Sequence, residues 1–207
     1  MYECDRSVIR NFSVEFSLMS KATKIEEIIQ QRCIRKLVHF TRIINLKSII
    51  EFGILPRLEL EKKKIKVEFN DHQRLDTWPE TSSISVTEKN SYLFPTFVQR
   101  SKTSIDDWFD ILIHPSILTE KECIFCDTNA ANHKFEEYRG NTEPLKDPTS
   151  FEGMFRDKVV RKSTGTFTPR NNKESNLTTD NQAEICVYGV IEKRYFLNLK
   201  EIEASII

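Results

Sequence analysis

Four short stretches of the chain concentrate side chains capable of chemistry. The first, His39-Phe40-Thr41, is followed by Asn45 and Gly53. A His and a Thr at a strand-to-helix junction can hold a ligand through imidazole, hydroxyl and backbone groups. The same pair can equally be a satisfied histidine and a threonine helix cap. The second stretch, Asn70-Asp71-His72-Gln73-Arg74-Leu75-Asp76, is dense in hydrogen-bonding groups. Arg74 can clamp a phosphate with two parallel bonds, and the plain alternative is a surface loop laced by weak ion pairs. The third, Phe125 to Asn132, reads as a strand running into a turn built on Asp and Asn chemistry. The fourth, Thr178 to Ile185, delivers Glu184 to the start of an apolar strand, with Gln182 two residues earlier on the same face. Taken alone, a glutamate there is an ordinary strand-edge charge.

Other chemistries leave no trace. There is no Walker loop, no Gly-rich dinucleotide fingerprint, no His-Glu-x-x-His helix and no Ser nucleophile elbow. The cysteines, Cys4, Cys33, Cys123, Cys126 and Cys186, are odd in number and scattered, a poor disulfide framework. Cys123 and Cys126 have the spacing of a zinc or redox pair, but they stand alone, with His133 outside the usual ligand spacings. They read as a buried strand end, with no metal.

These stretches need a scaffold to position them. The 207 residues suit one large domain, or one domain with an extension, and a hydrophobic fraction of 39% fits a foldable chain. Thirty-one basic residues balance thirty-one acidic ones, which excludes a general electrostatic coat for DNA and leaves room for a local basic groove. No apolar run nears the ~20 residues that span a bilayer, and residues 1–10 lack the apolar core of a secretory signal. The expectation is a cytoplasmic protein with no membrane contact.

Thr23 and Glu26 form a capping-box pattern ahead of Ile25, Ile28 and Ile29, which predicts a helix over about 24–34. A strand is expected at 37–40, a helix at 44–51 with Gly53 as its C-cap, and a solvated helix face at 58–66. Strands follow from Ser83, over 108–113, from Ile124 and over 183–188. Residues 116–121 read as a turn or short helix, and 195–202 close the fold. Residues 140–181 read as the least regular stretch, and long loops of this kind are usually functional or mobile. Helices first and strands later suggest an α+β fold with a mainly antiparallel sheet. Within the loop, Arg156, Lys158, Arg161, Lys162, Arg170 and Lys173 alternate with Phe155 and Phe167. Basic groups with interleaved aromatics suit a single nucleic-acid strand, and the alternative is a solvated loop.

In this order, from about 37 to 199, the clusters resemble the DarT family of ADP-ribosyltransferases, toxins of toxin–antitoxin pairs. The resemblance is carried by His39-Phe40-Thr41 with Asn45-Leu46, by Asn70-Asp71 with Arg74-Leu75-Asp76, and by Ser83-Ile84-Ser85. It continues in Trp108 to Leu112, in Phe125 with Thr128-Asn129-Ala130-Ala131, and in Thr178-Thr179-Asp180 with Gln182-Ala183-Glu184. Thr77 stands where the family pattern has Gly, Asp127 where it has Pro, and Glu88-Lys89-Asn90 where it has an apolar and Pro-containing stretch.

The resemblance implies an ADP-ribosyltransferase-like split antiparallel β-sheet core with flanking helices over residues 36–207, preceded by an extension, 1–35, that carries a helix. It implies NAD as co-substrate, no metal, and transfer of ADP-ribose to a base of single-stranded DNA with release of nicotinamide. It further implies a role in toxin–antitoxin or phage defence, with a macrodomain-type antitoxin as partner. Glu184 would grip the ribose as positive charge develops, with His39 and Arg74 as further catalytic residues and Gln182 facing the acceptor. The NAD site would be formed by His39, Phe40, Thr41, Asn45, Gly53, Asp71, Arg74 and Tyr92. Arg100, Arg156, Arg161 and Arg170 would join Gln182 on the strand. An RNA base as acceptor, a protein acceptor, or an inert nucleotide- or nucleic-acid-binding module are the competing readings.

Overall fold

Isoleucines at helical spacing begin the described chain. The computed structural model describes residues 21–69, 75–161, 165–171 and 173–206. Residues 21–31 form α1, which buries Ile25, Ile28 and Ile29 and ends at Cys33 with φ 54°. The helix is already under way at Lys21, so Thr23 lies within it and is not its N-cap. Ile34 follows into the same core. Residues 21–34 thus contribute side chains to the main core.

Strand β1 (Leu37–Arg42) leads through a short 3-10 turn (Ile43–Asn45) into α2 (Leu46–Phe52). Gly53 ends α2 with φ 81°, and its lack of a side chain lets Ile54 pair with Ile191. Pro56 precedes α3 (Arg57–Lys63), whose charged run faces solvent while Leu60 is buried. After β2 (Thr81–Val86) comes α4 (Leu93–Ser101), a helix that the sequence reading does not foresee. Its first-turn N–H groups are met by the Asn90 side chain, which accepts from Tyr92 N at 3.1 Å and Leu93 N at 2.9 Å. Pro95 falls in that first turn, where its missing N–H costs nothing.

Strands β3 (Trp108–Ile113) and β4 (Cys123–Cys126) flank the short α5 (Ile117–Glu120). The stretch expected to be irregular holds α6 (Pro148–Gly153) and a two-stranded hairpin, β5 (Lys158–Val160) and β6 (Phe167–Pro169). Asp147 caps α6 by accepting from Thr149 N at 2.9 Å, with Pro148 at the first helical position. Strand β7 (Glu184–Tyr188) and α7 (Leu199–Ala204) complete the order.

The main sheet has five strands in the order β3-β1-β2-β7-β4, all neighbours antiparallel. This is the α+β architecture anticipated from element order. Alternation decides its faces. Ile185 and Val187 of β7 join Ile84 and Val86 of β2 and Cys123 and Phe125 of β4 in the main core. Ile124, Cys126 and Cys186 point the other way, into a smaller cluster with Trp78, Ala130, Phe135 and Leu145. Cys123 and Cys126, three residues apart in a strand, thus face opposite sides and cannot share one metal ion. Burial and the neighbouring Cys186 push the Cys126 thiol well above its ordinary pKa, as befits a small apolar side chain.

One pairing is short. Strands β1 and β3 stay in register for six residues, but β1 and β2 pair only at Leu37 with Val86 and Val38 with Ser85. Beyond Val38 the two strands part, and the sheet splits.

Two backbone positions test this frame. A Cβ on Gly53 would lie 2.6 Å from the Ile191 carbonyl oxygen, at a φ of +81°. Gly53→Ala is therefore expected to lower stability by roughly 2–4 kcal/mol. Thr77, where the family pattern has Gly, holds φ 61°, a region disfavoured for β-branched residues. Thr77→Gly is expected to cost nothing or to gain up to about 1 kcal/mol. Urea denaturation of both variants checks the contrast.

Candidate functional site

The parting of β1 and β2 opens a cleft of about 310 Å³. Its walls come from His39, Phe40 and Thr41 on one side of the split and Thr81 to Ser85 on the other. The turn before α2 adds Asn45, and β7 adds Glu184. Helix α4 contributes Leu93, Phe97 and Arg100, whose i, i+4, i+7 spacing presents one face.

His39 spans the split. Its Nδ1 lies 2.9 Å from the carbonyl oxygen of Ser83, which the parted ladder has left without a strand partner on β1. A carbonyl can only accept, so Nδ1 carries the hydrogen and Nε2 of the neutral ring keeps a lone pair. Burial lowers the pKa of the imidazole below the ordinary 6.5, against the opposing pull of the Ser83 bond and the Asp110 charge. Phe40 is fixed by aromatic contacts, edge-on to Phe94 at 5.4 Å and tilted against Phe97 at 6.0 Å and Trp108 at 6.1 Å.

Asn45, buried at the turn, works as a clip. Its amide nitrogen donates to Thr41 Oγ1 at 3.2 Å and to the Glu68 carbonyl at 2.9 Å, and its oxygen accepts from Glu68 N at 2.9 Å. It thereby ties the end of β1 to the segment carrying Glu68 and Phe69, which also lines the cleft. The Arg57 guanidinium packs over the Phe69 ring at 4.3 Å.

Glu184 opens β7, half-buried. One carboxylate oxygen takes a bond from Asn129 Nδ2 at 3.3 Å and the other from Ala130 N at 3.0 Å. Asn129 is itself oriented, because its Oδ1 accepts from Ala131 N at 2.9 Å. Bonds of this kind to an ionised carboxylate are each worth ~1.5–3 kcal/mol. They hold the carboxylate in place at the edge of the cleft, an arrangement suited to stabilising developing positive charge on a bound group.

Four residues upstream, Asp180 is fully buried. Burial alone would raise its pKa, but bonds from Arg161, from Gln182 N and from Thr128 outweigh that and hold the carboxyl below its ordinary value. Arg161 makes a bidentate pair with it at 2.7 and 2.8 Å. Arg170 staples its own loop, donating to the carbonyls of Leu177 at 2.7 Å, Glu174 at 2.9 Å and Ser175 at 3.2 Å. Lys173 does the same for Thr178 and Thr179, at 3.0 and 2.9 Å.

The structure thus brings His39, Phe40, Thr41, Asn45, Gly53, Arg100 and Glu184 to one cleft. Tyr92 is 61% exposed and not among its walls. Arg156 stands exposed, whereas Arg161 and Arg170 have their guanidinium groups engaged by their own chain. Asp71 and Arg74 lie outside the described residues. The sequence reading missed Asn129 and Ala130 as the grip on Glu184, although both stand in a stretch it singled out. Phe69 and Phe97 as cleft walls had only one usable signal, the helical spacing of Leu93, Phe97 and Arg100.

The model of the family described as ssDNA thymidine ADP-ribosyltransferase, DarT, matches residues 38–203. That span holds both the His39 and the Glu184 sides of the cleft. Among solved structures, a chain of Thermosipho africanus DarTG in complex with ADP-ribose is similar at 18% identity and a TM-score of 0.45. The match covers 78% of this chain and 42% of that one, so the present chain spans less than half of its length. A search of curated proteins finds no match.

The state of His39 gives a pH test. A folded-state pKa below the unfolded value of 6.5 means the folded chain binds fewer protons. This contribution to stability is full above that value and is lost as pH falls from there through the lowered folded-state pKa. Urea midpoints measured at falling pH are expected to decline in that window, and His39→Gln is expected to flatten the decline. An equal slope in both proteins would remove His39 as its source.

Proposed function

The chain belongs to the DarT family, described as ssDNA thymidine ADP-ribosyltransferases, and from that premise we propose that its cleft binds NAD and transfers ADP-ribose to a base of single-stranded DNA. The observation that carries this reading is the clamped Glu184 carboxylate, on the same cleft as His39 and Thr41 across a split sheet.

Transfer breaks the bond between the nicotinamide nitrogen and ribose C1′. The bonding pair leaves with nicotinamide, C1′ becomes oxocarbenium-like, and the acceptor base supplies the new pair and sheds its proton. Glu184 accepts a hydrogen bond from the ribose 2′-hydroxyl, and that bond strengthens as charge develops. Asn129 and Ala130 hold the carboxylate in advance, so little rearrangement is needed at the moment of reaction. His39 offers the Nε2 lone pair to a ribose hydroxyl, while Phe40, Phe97 and Phe69 supply apolar walls for the rings of NAD. Asn45 orients Thr41 and the Glu68 segment rather than donating to the ligand. Arg74 takes the NAD phosphates or assists deprotonation of the acceptor base.

The acceptor strand lies along the β5–β6 hairpin. Phe167 is 62% exposed there, and Arg156 and Lys158 are exposed beside it. An aromatic platform with flanking cations suits unpaired bases and their phosphates. Arg161 and Arg170 hold the hairpin and the following loop in shape. Family membership further supports a toxin role, with a macrodomain-type antitoxin that removes the modification as partner. Among the described residues, no helix is long and apolar enough to cross a membrane.

Mass spectrometry of matched DNA and RNA oligonucleotides after incubation with NAD tests the reaction. The expected product is one ADP-ribose on thymidine-containing single-stranded DNA, absent with Glu184→Gln at unchanged fold. The same mass gain on RNA alone would change the acceptor, and intact NAD with every substrate would remove the activity. For the hairpin, Phe167→Ala is expected to weaken oligonucleotide binding by roughly 1–3 kcal/mol, on top of a steep fall of affinity with salt. Unchanged affinity would move the strand elsewhere.

A further inference from the structure

Asp180 has no place in the reaction as proposed, yet its carboxylate accepts four hydrogen bonds beside the cleft. It is fully buried. Its Oδ2 accepts from Thr128 Oγ1 at 2.8 Å and from Arg161 Nε at 2.8 Å, and its Oδ1 from Arg161 Nη2 at 2.7 Å and Gln182 N at 3.0 Å. Its backbone oxygen accepts from the Thr178 hydroxyl at 2.8 Å and from Ala183 N at 3.0 Å. A buried ion pair is costly to desolvate, and an apolar pair of similar volume is often as stable. Such a group calls for a reason other than stability.

Its partners supply one. Thr128 immediately precedes Asn129 and Ala130, which both donate to the Glu184 carboxylate. Gln182 lies two residues before Glu184 on the segment that carries it. With its amide oxygen toward Arg161, Gln182 accepts from Nη2 at 2.9 Å and Nη1 at 3.2 Å. Arg161 directly follows β5 and closes the hairpin through its own N–H to the Thr166 carbonyl at 3.0 Å. One carboxylate therefore joins the turn that grips Glu184, the segment that bears it and the hairpin beside them.

We propose that Asp180 is a positioning residue that, with Arg161, sets the distance between the Glu184 carboxylate and its Asn129–Ala130 grip and aims Gln182 from the same point. The proposal rests on the reading of Glu184 given above. Its effect falls on the chemical step, since a small displacement of a reacting group lowers the rate far more than it lowers ground-state binding.

The test is Asp180→Asn in the full chain, which keeps shape and removes charge. The expected result is a folded protein whose kcat for ADP-ribose transfer falls roughly ten- to a hundredfold while KM for NAD changes less than about threefold. Amide exchange is expected to quicken at 128–132 and 181–184 and to stay unchanged in α1 and β3. Thr128→Val, which removes one donor and leaves the ion pair, should show a weaker form of the same pattern and serves if Asp180→Asn does not fold. An unchanged kcat in the folded variants, or exchange that quickens throughout the chain, would overturn the positioning role. Should the wild-type protein transfer nothing, the reading of Glu184 fails, while amide exchange still decides whether Asp180 holds the grip in place.

Discussion

The structure turns on how briefly β1 and β2 stay together. Two paired residues anchor them, and every later backbone group along the split needs another partner. The chain meets that need with side chains that are then available to a ligand. His39 takes the Ser83 carbonyl, and Asn45 binds the Glu68 backbone through both its amide groups. A fully zipped ladder would close the cleft and leave these side chains without a purpose. The opening is thus held by specific polar contacts, and the outer strands on each side remain fully paired to keep it in place.

Charge is arranged on the same principle. Exposed pairs such as Lys62 with Glu59 contribute little, because water and salt screen them. The Asp180–Arg161 pair is different in kind. Its carboxylate is cut off from solvent, so each lost bond would strand a buried charge. Strength is concentrated where the segment bearing Glu184 meets the turn that grips it, while the basic residues of the neighbouring loop are largely taken up in holding that loop. The basic loop, for which a solvated loop was the alternative reading, is laced to its own carbonyls through Arg170 and Lys173.

Legibility in the sequence followed the range of the interactions. Strands with strong apolar runs, Trp108–Ile113 and Glu184–Tyr188, and the Gly53 cap were readable because neighbours in sequence determine them. Helix α4 was not, since its start depends on the Asn90 side chain and its apolar face is interrupted by polar residues. The hairpin and α6 were hidden in a polar stretch because their order comes from Asp147, Arg161 and Asp180, whose partners could not be known from spacing. His39 and Glu184, singled out through a family resemblance, lie on one cleft. The contacts of Asn129, Thr128 and Asp180 emerge only when segments distant in sequence lie side by side.

The departures from the family pattern fit this geometry. Asp127 pairs with Lys134 at 2.6 Å, and the same ammonium reaches the Val160 carbonyl at 3.4 Å. A position where the pattern has Pro thus carries a bridge from the turn that grips Glu184 to the hairpin. Lys89 pairs with Asp110 at 2.9 Å and packs over the Phe94 ring at 4.0 Å, while Asn90 starts α4. Lys89, Asn90 and Asp127 each have local partners in the elements that frame the cleft. Local ion pairs thus brace the frame of the cleft at two places, the turn before Asn129 through Asp127 and the approach to α4 through Lys89.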